Sequence, residues 1–244
     1  MRILAVDAGN SRIKWGLHDG SGWVVQSWLA TADARTLGKA WNGLPQPDAF
    51  IASNVSGDSV SHALSDAGSM LGIKPELITS RASQCGVRSS YEEPTQLGPD
   101  RWAGLIGAWH LCGGPSVVVN AGTTMTADAL SRDGLFLGGV IVAGVDLMRE
   151  ALARSTARLK LLDGHYTFFP ATTADAIVSG AINALAGTVE RMQRFMGEAG
   201  EANPRVVLSG GAASEVAHAL NGQVEVVDNL VLEGLVRIAL ETNE

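Results

Sequence analysis

Apolar and polar residues follow one another in short blocks along this chain, and the first blocks predict a β-hairpin. Residues 3–6 form an apolar run that ends at Asp7, and a second strand-like run reaches residue 17. The small and turn-forming residues at positions 8–10 separate the two runs. We therefore predict a buried strand up to Asp7, a tight turn and a second strand.

The blocks that follow predict an alternation of strands and helices. Three strands come first and are followed by helix, strand, helix and strand, an order that favours an α/β protein with a mixed sheet. Further strands are predicted at 22–29, 49–53, 76–79, 116–120, 125–130, 135–142, 205–208 and 224–227. Helices are predicted at 31–41, 56–71, 103–111, 144–152, 172–196, 212–220 and 230–240, and residues 82–96 are predicted to form a loop.

The opening pattern recurs near the middle of the chain. Residues 120–124 (NAGTT) match residues 7–11 (DAGNS), because in both a strand ends in an acidic or amide residue and small residues follow. A repeat at this scale predicts two related domains. The Gly113-Gly114-Pro115 sequence is the expected break, so we predict domains at 1–113 and 114–244.

Composition and charge narrow the possible partners. The formal net charge is −7, so the chain has no basic surplus with which to bind nucleic acid. No apolar run approaches the roughly 20 residues needed to span a bilayer, and the first residues do not resemble a signal peptide. The two cysteines form no CxxC motif, and the five histidines show no metal-ligand spacing. We expect a cytoplasmic protein that binds neither nucleic acid nor membrane.

Two carboxylates, those of Asp7 and Asp100, lie at positions suited to ligand binding or catalysis. Asp7 lies at a strand end beside a turn whose N–H groups could face phosphate oxygens, with Lys14 on the next strand, which is a suitable setting for a metal-bound polyphosphate. The alternative is an ordinary hairpin with a solvated Asp7. Asp100 follows Pro99 at a loop–helix junction, where it either presents a carboxylate for function or only stabilises the helix terminus.

Four motifs together resemble one known family. They are DAGNSRIKWGL at 7–17, GPDRW at 98–102, NAGTTMTAD at 120–128 and FLGGVIVAG at 136–144. Their order and spacing resemble the actin, sugar kinase and heat-shock ATPase superfold and, within it, the type III pantothenate kinases. The resemblance implies two duplicated ribonuclease H-like or actin-like ATPase domains, each a mixed sheet flanked by helices. It also implies ATP-dependent phosphorylation of pantothenate to 4'-phosphopantothenate, the first step of coenzyme A biosynthesis, by a homodimer.

The same resemblance implies roles for individual residues. Asp100 corresponds to the catalytic base, and Asp7 is expected near Mg²⁺, either directly or through water. Thr123 is expected to reach the phosphates from the second domain, and the turn at 208–211 either approaches the adenosine or is a plain strand–helix turn. The implied ATP-binding residues are Asp7, Ala8, Gly9, Asn10, Ser11, Arg12, Ile13, Lys14 and Thr123. The implied pantothenate-binding residues are Tyr91, Gly98, Pro99, Asp100, Arg101 and Thr173.

One position departs from the family pattern. The family usually carries Asp where this chain has Asn120, at a site for a monovalent cation, K⁺ or NH₄⁺. An amide keeps an oxygen ligand but removes a full negative charge. We therefore expect weaker activation by potassium here than in relatives that carry Asp.

Alternatives to this enzyme remain at this point. Some proteins close to the family were described as accessory factors in gene regulation, and other kinases of the superfold phosphorylate other small alcohols. The retained Asp7, Asp100 and Arg101 favour an enzyme over a regulator. The apolar stripe on the helix from Thr173 could pack against a second copy of the chain or, equally well, inside its own domain.

Overall fold

The computed structural model describes residues 1–155 and 163–242, in which the strands fall close to their predicted positions. Strands named in chain order are β1 Ile3–Ala8, β2 Arg12–His18, β3 Trp23–Ala30, β4 Ala49–Asn54, β5 Glu76–Leu77, β6 Ser83–Gln84, β7 Val87–Ser89, β8 Ser116–Ala121, β9 Thr124–Leu130, β10 Leu135–Ala143, β11 Arg205–Ser209 and β12 Val224–Val226. The α-helices are α1 Leu37–Ala40, α2 Asp58–Met70, α3 Pro99–Cys112, α4 Val145–Ser155, α5 Thr173–Glu198, α6 Ala213–Ala219 and α7 Leu230–Glu241. Short 3-10 helices span Thr31–Thr36 and Pro94–Gln96.

The chain divides by contacts into two compact units. The first contains Met1–Leu111 and the C-terminal segment that begins at Asn229, and the second contains Cys112–Asp228. The break near Gly113 lies close to the predicted boundary, but α7 belongs to the first unit, whereas the predicted division placed it in the second domain. Close packing explains the difference, because Gly107 and Gly234 let α3 and α7 approach: a Cβ on Gly107 would lie 2.6 Å from the Leu230 carbonyl.

The first unit is a five-stranded mixed sheet in the order β3-β2-β1-β4-β5. Strands β1, β2 and β3 pair antiparallel, whereas β4 lies parallel to β1 and β5 parallel to β4. Alternation along β1 sends Leu4, Val6 and Ala8 into a core that also includes residues of α1 and α2. Asp7 therefore lies on the opposite face, which α7 partly covers through its contacts with β1, β2 and β4.

The second unit repeats this topology. Its strands lie in the order β10-β9-β8-β11-β12, with β8, β9 and β10 antiparallel and β8, β11 and β12 parallel. The matching order confirms the predicted fold class of two mixed sheets flanked by helices. The apolar stripe of α5, including Leu185, Val189 and Met192, is buried in the core of this unit. Of the two roles predicted for that stripe, packing inside its own domain is the one observed.

Some predicted elements differ from the observed ones. The predicted loop at 82–96 contains the β6–β7 hairpin, whose turn residues Cys85 and Gly86 both have positive φ, 48° and 78°. Two such residues form the type of two-residue turn that suits a hairpin. The predicted helix at 31–41 is a 3-10 turn followed by the short α1, and α3 begins at Pro99 rather than at residue 103. The earlier start places Asp100 in the first turn of α3.

Candidate active site

A row of polar side chains crosses the sheet of the first unit on the face opposite its α1–α2 core. Asp7 on β1 is in register with Lys14 on β2 and with Ser53 on β4, and Lys14 is in register with Trp28 on β3. Residues in register across neighbouring strands project to the same face. The row runs from buried Ser53 through Asp7 and Lys14 to Trp28, whose side chain is 56% exposed.

Asp7 carries a buried oxygen that no described residue satisfies. Its Oδ1 has no hydrogen-bond partner, and neither has the nearby Oγ of Ser53. Burial is the largest cause that raises the pKa of Asp7, to about 7, and the charge of Asp100 raises it further. The positive charge of Lys14 lowers the pKa only in part. An anionic carboxylate here is therefore incompletely neutralised by the protein.

This setting fits a divalent cation. Mg²⁺ prefers carboxylate oxygens and is commonly held by one or two carboxylates together with water and substrate phosphates. Within residues 1–155 and 163–242, no group of three His, Cys, Asp or Glu side chains could hold a metal ion without such help. The unsatisfied Oδ1 of Asp7 is suited to a cation that arrives with a phosphate.

Asp100 and Arg101 open α3 beside this row. Oδ1 of Asp100 accepts the N–H of Arg101 at 2.9 Å. Burial raises the pKa of Asp100, although that N–H and the charge of Arg101 act in the opposite direction. A Cβ on Gly98 would lie 2.6 Å from Oδ1 of Asp100, so a side chain at this position would displace the Asp100 carboxylate. The carboxylate of Asp100 is therefore partly removed from water, and the charge of Arg101 partly offsets its own.

The turn between β1 and β2 has a fixed backbone. The N–H of Gly9 donates to the carbonyl of Arg12 at 3.0 Å. The carbonyl of Gly9 accepts from the hydroxyls of Thr31, at 2.7 Å, and Ser56, at 2.5 Å. Neither supporting residue could be recognised from the sequence, because Thr31 and Ser56 lie far from Gly9 along the chain.

The predicted nucleotide contacts in this turn fall into two groups. Asn10, Ser11 and Arg12 are exposed, and the Arg12 guanidinium lies 4.6 Å from the centroid of the Trp28 ring. The side chains of Ala8 and Ile13 are fully buried in the core. Any contribution of these two residues to a ligand would therefore come from the backbone.

The second unit repeats the turn. The N–H of Gly122 donates to the carbonyl of Thr124 at 3.0 Å, much as Gly9 donates in the first unit. Thr123 is exposed at the tip, and its carbonyl accepts the N–H of Gly144 at 3.0 Å. Asn120, at the end of β8, is in register with Thr126 and Ser209. The turns at 8–10 and 121–123 could both be predicted, because the sequence of the first recurs in the second.

Two further predicted contacts lie outside the turns. Tyr91 is half-buried in the first unit, and its N–H donates to Oγ of Ser89 at 3.2 Å. Thr172 caps α5 by accepting the N–H of Asp175 at 3.1 Å, and Thr173 follows as an exposed first helical residue. The first unit thus contains most of the predicted site, while Asn120, Thr123 and Thr173 belong to the second.

Trp102, the last residue of the GPDRW motif, lies in the interior of the first unit. Its side chain is fully buried, and its indole N–H donates to Oε1 of Gln84 at 3.0 Å. Trp102 therefore packs in the core next to the first turn of α3 and does not line an open surface.

Solved structures share this fold at low sequence identity. A protein described as a Baf family transcriptional activator from Campylobacter jejuni superposes with a TM-score of 0.63 at 19% identity, covering 98% of both chains. The activator of 2-hydroxyisocaproyl-CoA dehydratase from Clostridium difficile, solved with ADPNP, gives 0.54 at 14% identity over 99% of this chain and 94% of that one. At these identities the likeness concerns the fold alone.

Similarity of sequence identifies the family more specifically than similarity of fold does. A model of the type III pantothenate kinase family matches residues 3–194. A type III pantothenate kinase of Nitrosospira multiformis is 46% identical over 242 residues, covering 99% of this chain and 92% of that protein. Its counterpart in Aromatoleum aromaticum is 45% identical over 239 residues, covering 98% of both. The chain therefore belongs to the type III pantothenate kinase family.

Proposed function

We propose that this chain transfers the γ-phosphoryl group of ATP to the primary hydroxyl of pantothenate. The product, 4'-phosphopantothenate, is the first intermediate on the route to coenzyme A. The observation that carries the proposal is the pair at the start of α3, where half-buried Asp100 directly precedes Arg101 in the same unit as Asp7 and Lys14. An acid–base group, an anion receptor and a phosphate-binding turn are the parts that such a transfer needs.

Asp100 is the proposed general base. Burial raises its pKa above the usual value for aspartate, so its carboxylate holds a proton more readily than a solvated one would. It can accept the hydroxyl proton as the new O–P bond forms, and such assistance is typically worth about 10²–10⁴ in rate. The adjacent N–H of Arg101 keeps one of its oxygens hydrogen-bonded and so orients the group.

Arg101 is the proposed receptor for the pantothenate carboxylate. A guanidinium can bind a carboxylate through two parallel hydrogen bonds, which fixes the orientation as well as the position of the ligand. Tyr91, Gly98 and Pro99 are the further contacts that we propose from the first unit, and Thr173 is proposed from the second. Gly98 has room for a ligand because it lacks a side chain beside Asp100.

The turn between β1 and β2 is proposed to bind the ATP phosphates. Its backbone is held by Thr31 and Ser56, and Lys14 brings a positive charge onto the same face as Asp7. We propose Asp7 as the residue that holds Mg²⁺, which neutralises phosphate charge when it is bound. Exposed Thr123 in the corresponding turn of the second unit is a further proposed ATP contact.

The monovalent cation is a separate proposal. Asn120 offers an amide oxygen at the end of β8, in register with Thr126 and Ser209 on the neighbouring strands. A neutral ligand binds K⁺ or NH₄⁺ more weakly than a carboxylate does. We therefore propose weak activation by such ions in this chain.

A homodimer in the cytoplasm is the proposed state of the enzyme. Phe168 and Phe169 are 81% and 95% exposed in the second unit, and exposed aromatic pairs are typical of surfaces that meet a partner. Cys85 and Cys112 are both free thiols, as expected in a reducing compartment. No described helix is long and apolar enough to cross a membrane.

The proposal is tested by a coupled assay of ADP release with ATP, Mg²⁺ and pantothenate. We expect turnover that requires pantothenate and that falls by about 10²–10⁴ in Asp100→Asn. Asp58→Asn is the matched control, because Asp58 is likewise an acidic residue in the first turn of a helix of the same unit. No turnover over a wide range of ATP concentration, together with no effect of Asp100→Asn, would favour a regulator over an enzyme.

A further inference from the structure

A carboxylate from the last turn of α7 holds the tip of the β6–β7 hairpin. Cys85, at this tip, has a left-handed backbone with φ of 48°. Its N–H donates to Oε1 of Glu241 at 2.9 Å, and its thiol donates to Oε2 at 3.2 Å. Burial and the Glu241 carboxylate raise the pKa of the Cys85 thiol to about 12, so the thiol stays protonated and remains a donor. Glu241 thus makes two hydrogen bonds to one turn residue.

A second attachment fixes the hairpin along α3. Gln84 is buried and accepts the indole N–H of Trp102 at 3.0 Å. Gly86 lies against the indole of Trp109, since a Cβ there would be 2.7 Å from its ring nitrogen. The hairpin therefore has its tip beside the C-terminal half of α3, and Gln84 lies nearer the first turn.

From the tip of the hairpin, the chain returns along β7 towards Tyr91, which belongs to the proposed pantothenate site. Ser89 closes the base of the hairpin by donating its N–H to the carbonyl of Ala82 at 2.9 Å. Tyr91 follows two residues later and is joined to Ser89 through the hydroxyl of that residue. At the other end of the loop, Oγ of Ser80 donates to the carbonyl of Leu97 at 2.7 Å, directly before the GPDRW segment. Tyr91 is thus tied to the base of the hairpin at one end of the loop, and the GPDRW segment that contains Asp100 follows the other anchored end.

We propose that Glu241 is a positioning residue for pantothenate, acting on Tyr91 through the β6–β7 hairpin. This inference rests on the proposed function. Glu241 lies at the end of α7 and near the C-terminus, and its effect is transmitted by the two bonds to Cys85. When both bonds are lost, the tip is released while Gln84 stays attached, so Tyr91 samples more positions and pantothenate binds less tightly.

The experiment compares three variants with the unmodified chain. Glu241→Ala removes both acceptors, whereas Glu241→Gln keeps an oxygen for the Cys85 N–H. Glu233→Ala is the matched control, because Glu233 lies on the same helix and accepts a side-chain hydrogen bond, from the Trp23 indole at 2.6 Å. The KM for pantothenate, the KM for ATP and kcat are measured for each by the coupled assay.

We expect Glu241→Ala to raise the KM for pantothenate about fivefold, while the KM for ATP and kcat change less than about twofold. Glu241→Gln should restore most of the affinity, and Glu233→Ala should leave the KM for pantothenate unchanged. Trypsin should cut after exposed Arg88 faster in Glu241→Ala than in Glu233→Ala. Cys85→Ala removes only the hydrogen bond of the thiol, so we expect it to raise the KM for pantothenate by a smaller factor. It replaces Glu241→Ala in the comparison if that variant does not fold.

The outcomes separate the inference from the proposed function. An unmodified chain that does not phosphorylate pantothenate overturns both. An active chain in which Glu241→Ala leaves the KM for pantothenate unchanged overturns the role of Glu241 alone. An equal loss in both substrates and in kcat, shared by Glu233→Ala, would assign Glu241 to general stability and would also overturn it.

Discussion

The buried carboxylate of Asp7 should make the ligand-free protein less stable as the pH rises. Its pKa is raised from 3.8 to about 7, mainly by burial, so the folded state favours the protonated form. Stability from this group is fully present below pH 3.8 and is lost as the pH rises through about 7. Asp7→Asn removes the ionisation and leaves a neutral group of nearly the same shape.

The magnitude follows from the size of the pKa change. At about 1.4 kcal/mol for each tenfold change in the ionisation constant, the raised pKa of Asp7 costs the folded state about 2 kcal/mol at pH 5 and about 4 kcal/mol at pH 8, relative to an aspartate with the ordinary pKa. Placing the Asn amide in the same position adds a cost that does not depend on pH. The diagnostic quantity is therefore the change between the two pH values, about 2–3 kcal/mol in favour of Asp7→Asn.

The assay is urea unfolding of both proteins at pH 5 and pH 8, with EDTA and without nucleotide. Asp19→Asn is a control of opposite sign, because bonds from Ser21 and Gly22 lower the pKa of Asp19 to about 2. That group stabilises the folded state above pH 3.8 and loses this effect as the pH falls through about 2, so its removal should destabilise the protein at both pH values. An advantage of Asp7→Asn that does not grow between pH 5 and pH 8 would show that the pKa of Asp7 is not raised in the folded protein.

Three further predictions concern catalysis and ligands. Because the pKa of Asp100 is raised, kcat should fall as the pH is lowered through that pKa, and this acidic limb should disappear in the weakly active Asp100→Asn; an unchanged limb would assign it to another group. Asn120→Asp should increase activation by K⁺ in the coupled assay, whereas strong, saturable activation of the unmodified chain that Asn120→Ala abolishes would contradict the weak site. Trp28→Ala should raise the KM for ATP about two- to fivefold, because the ring holds the Arg12 guanidinium, while Trp28→Phe should retain most of the affinity; equal KM values in both variants would exclude this role.

The sequence predicted the order of elements because local patterns determine most of them. Alternation along β1, the small-residue turns and the cap at Thr172 are all visible within a few residues. The same locality made the repeated turns at 8–10 and 121–123 recognisable. The matching strand order of the two units then confirmed the duplicated fold.

Features that depend on distant partners were missed. The strands of the β6–β7 hairpin are short and polar, and its turn is held by Glu241, which lies 156 residues further along the chain. The place of α7 depends on backbone contacts of Gly107 and Gly234, which no local pattern shows. Ser53 joins the Asp7 site only because β4 pairs with β1 in one register.

The candidate site likewise combines residues that could be recognised from local sequence with properties that depend on distant packing. Asp7, Lys14 and Asp100 could be singled out in the sequence because they lie beside a small-residue turn or at a loop–helix junction, within motifs that resemble one family. Their burial and the resulting pKa values could not be predicted, since they depend on the packing of α3 and the sheet. The roles of these residues in binding and catalysis stay predictions.

Identification of the product is the decisive test of the proposed phosphorylation of pantothenate. The purified chain is incubated with ATP, Mg²⁺ and pantothenate, and the mixture is analysed by mass spectrometry. We predict pantothenate that carries one added phosphoryl group on its primary hydroxyl, formed together with ADP in equal amounts and nearly absent with Asp100→Asn. Unchanged pantothenate, or the same yield of product from Asp100→Asn, would contradict the proposed reaction or the proposed base respectively.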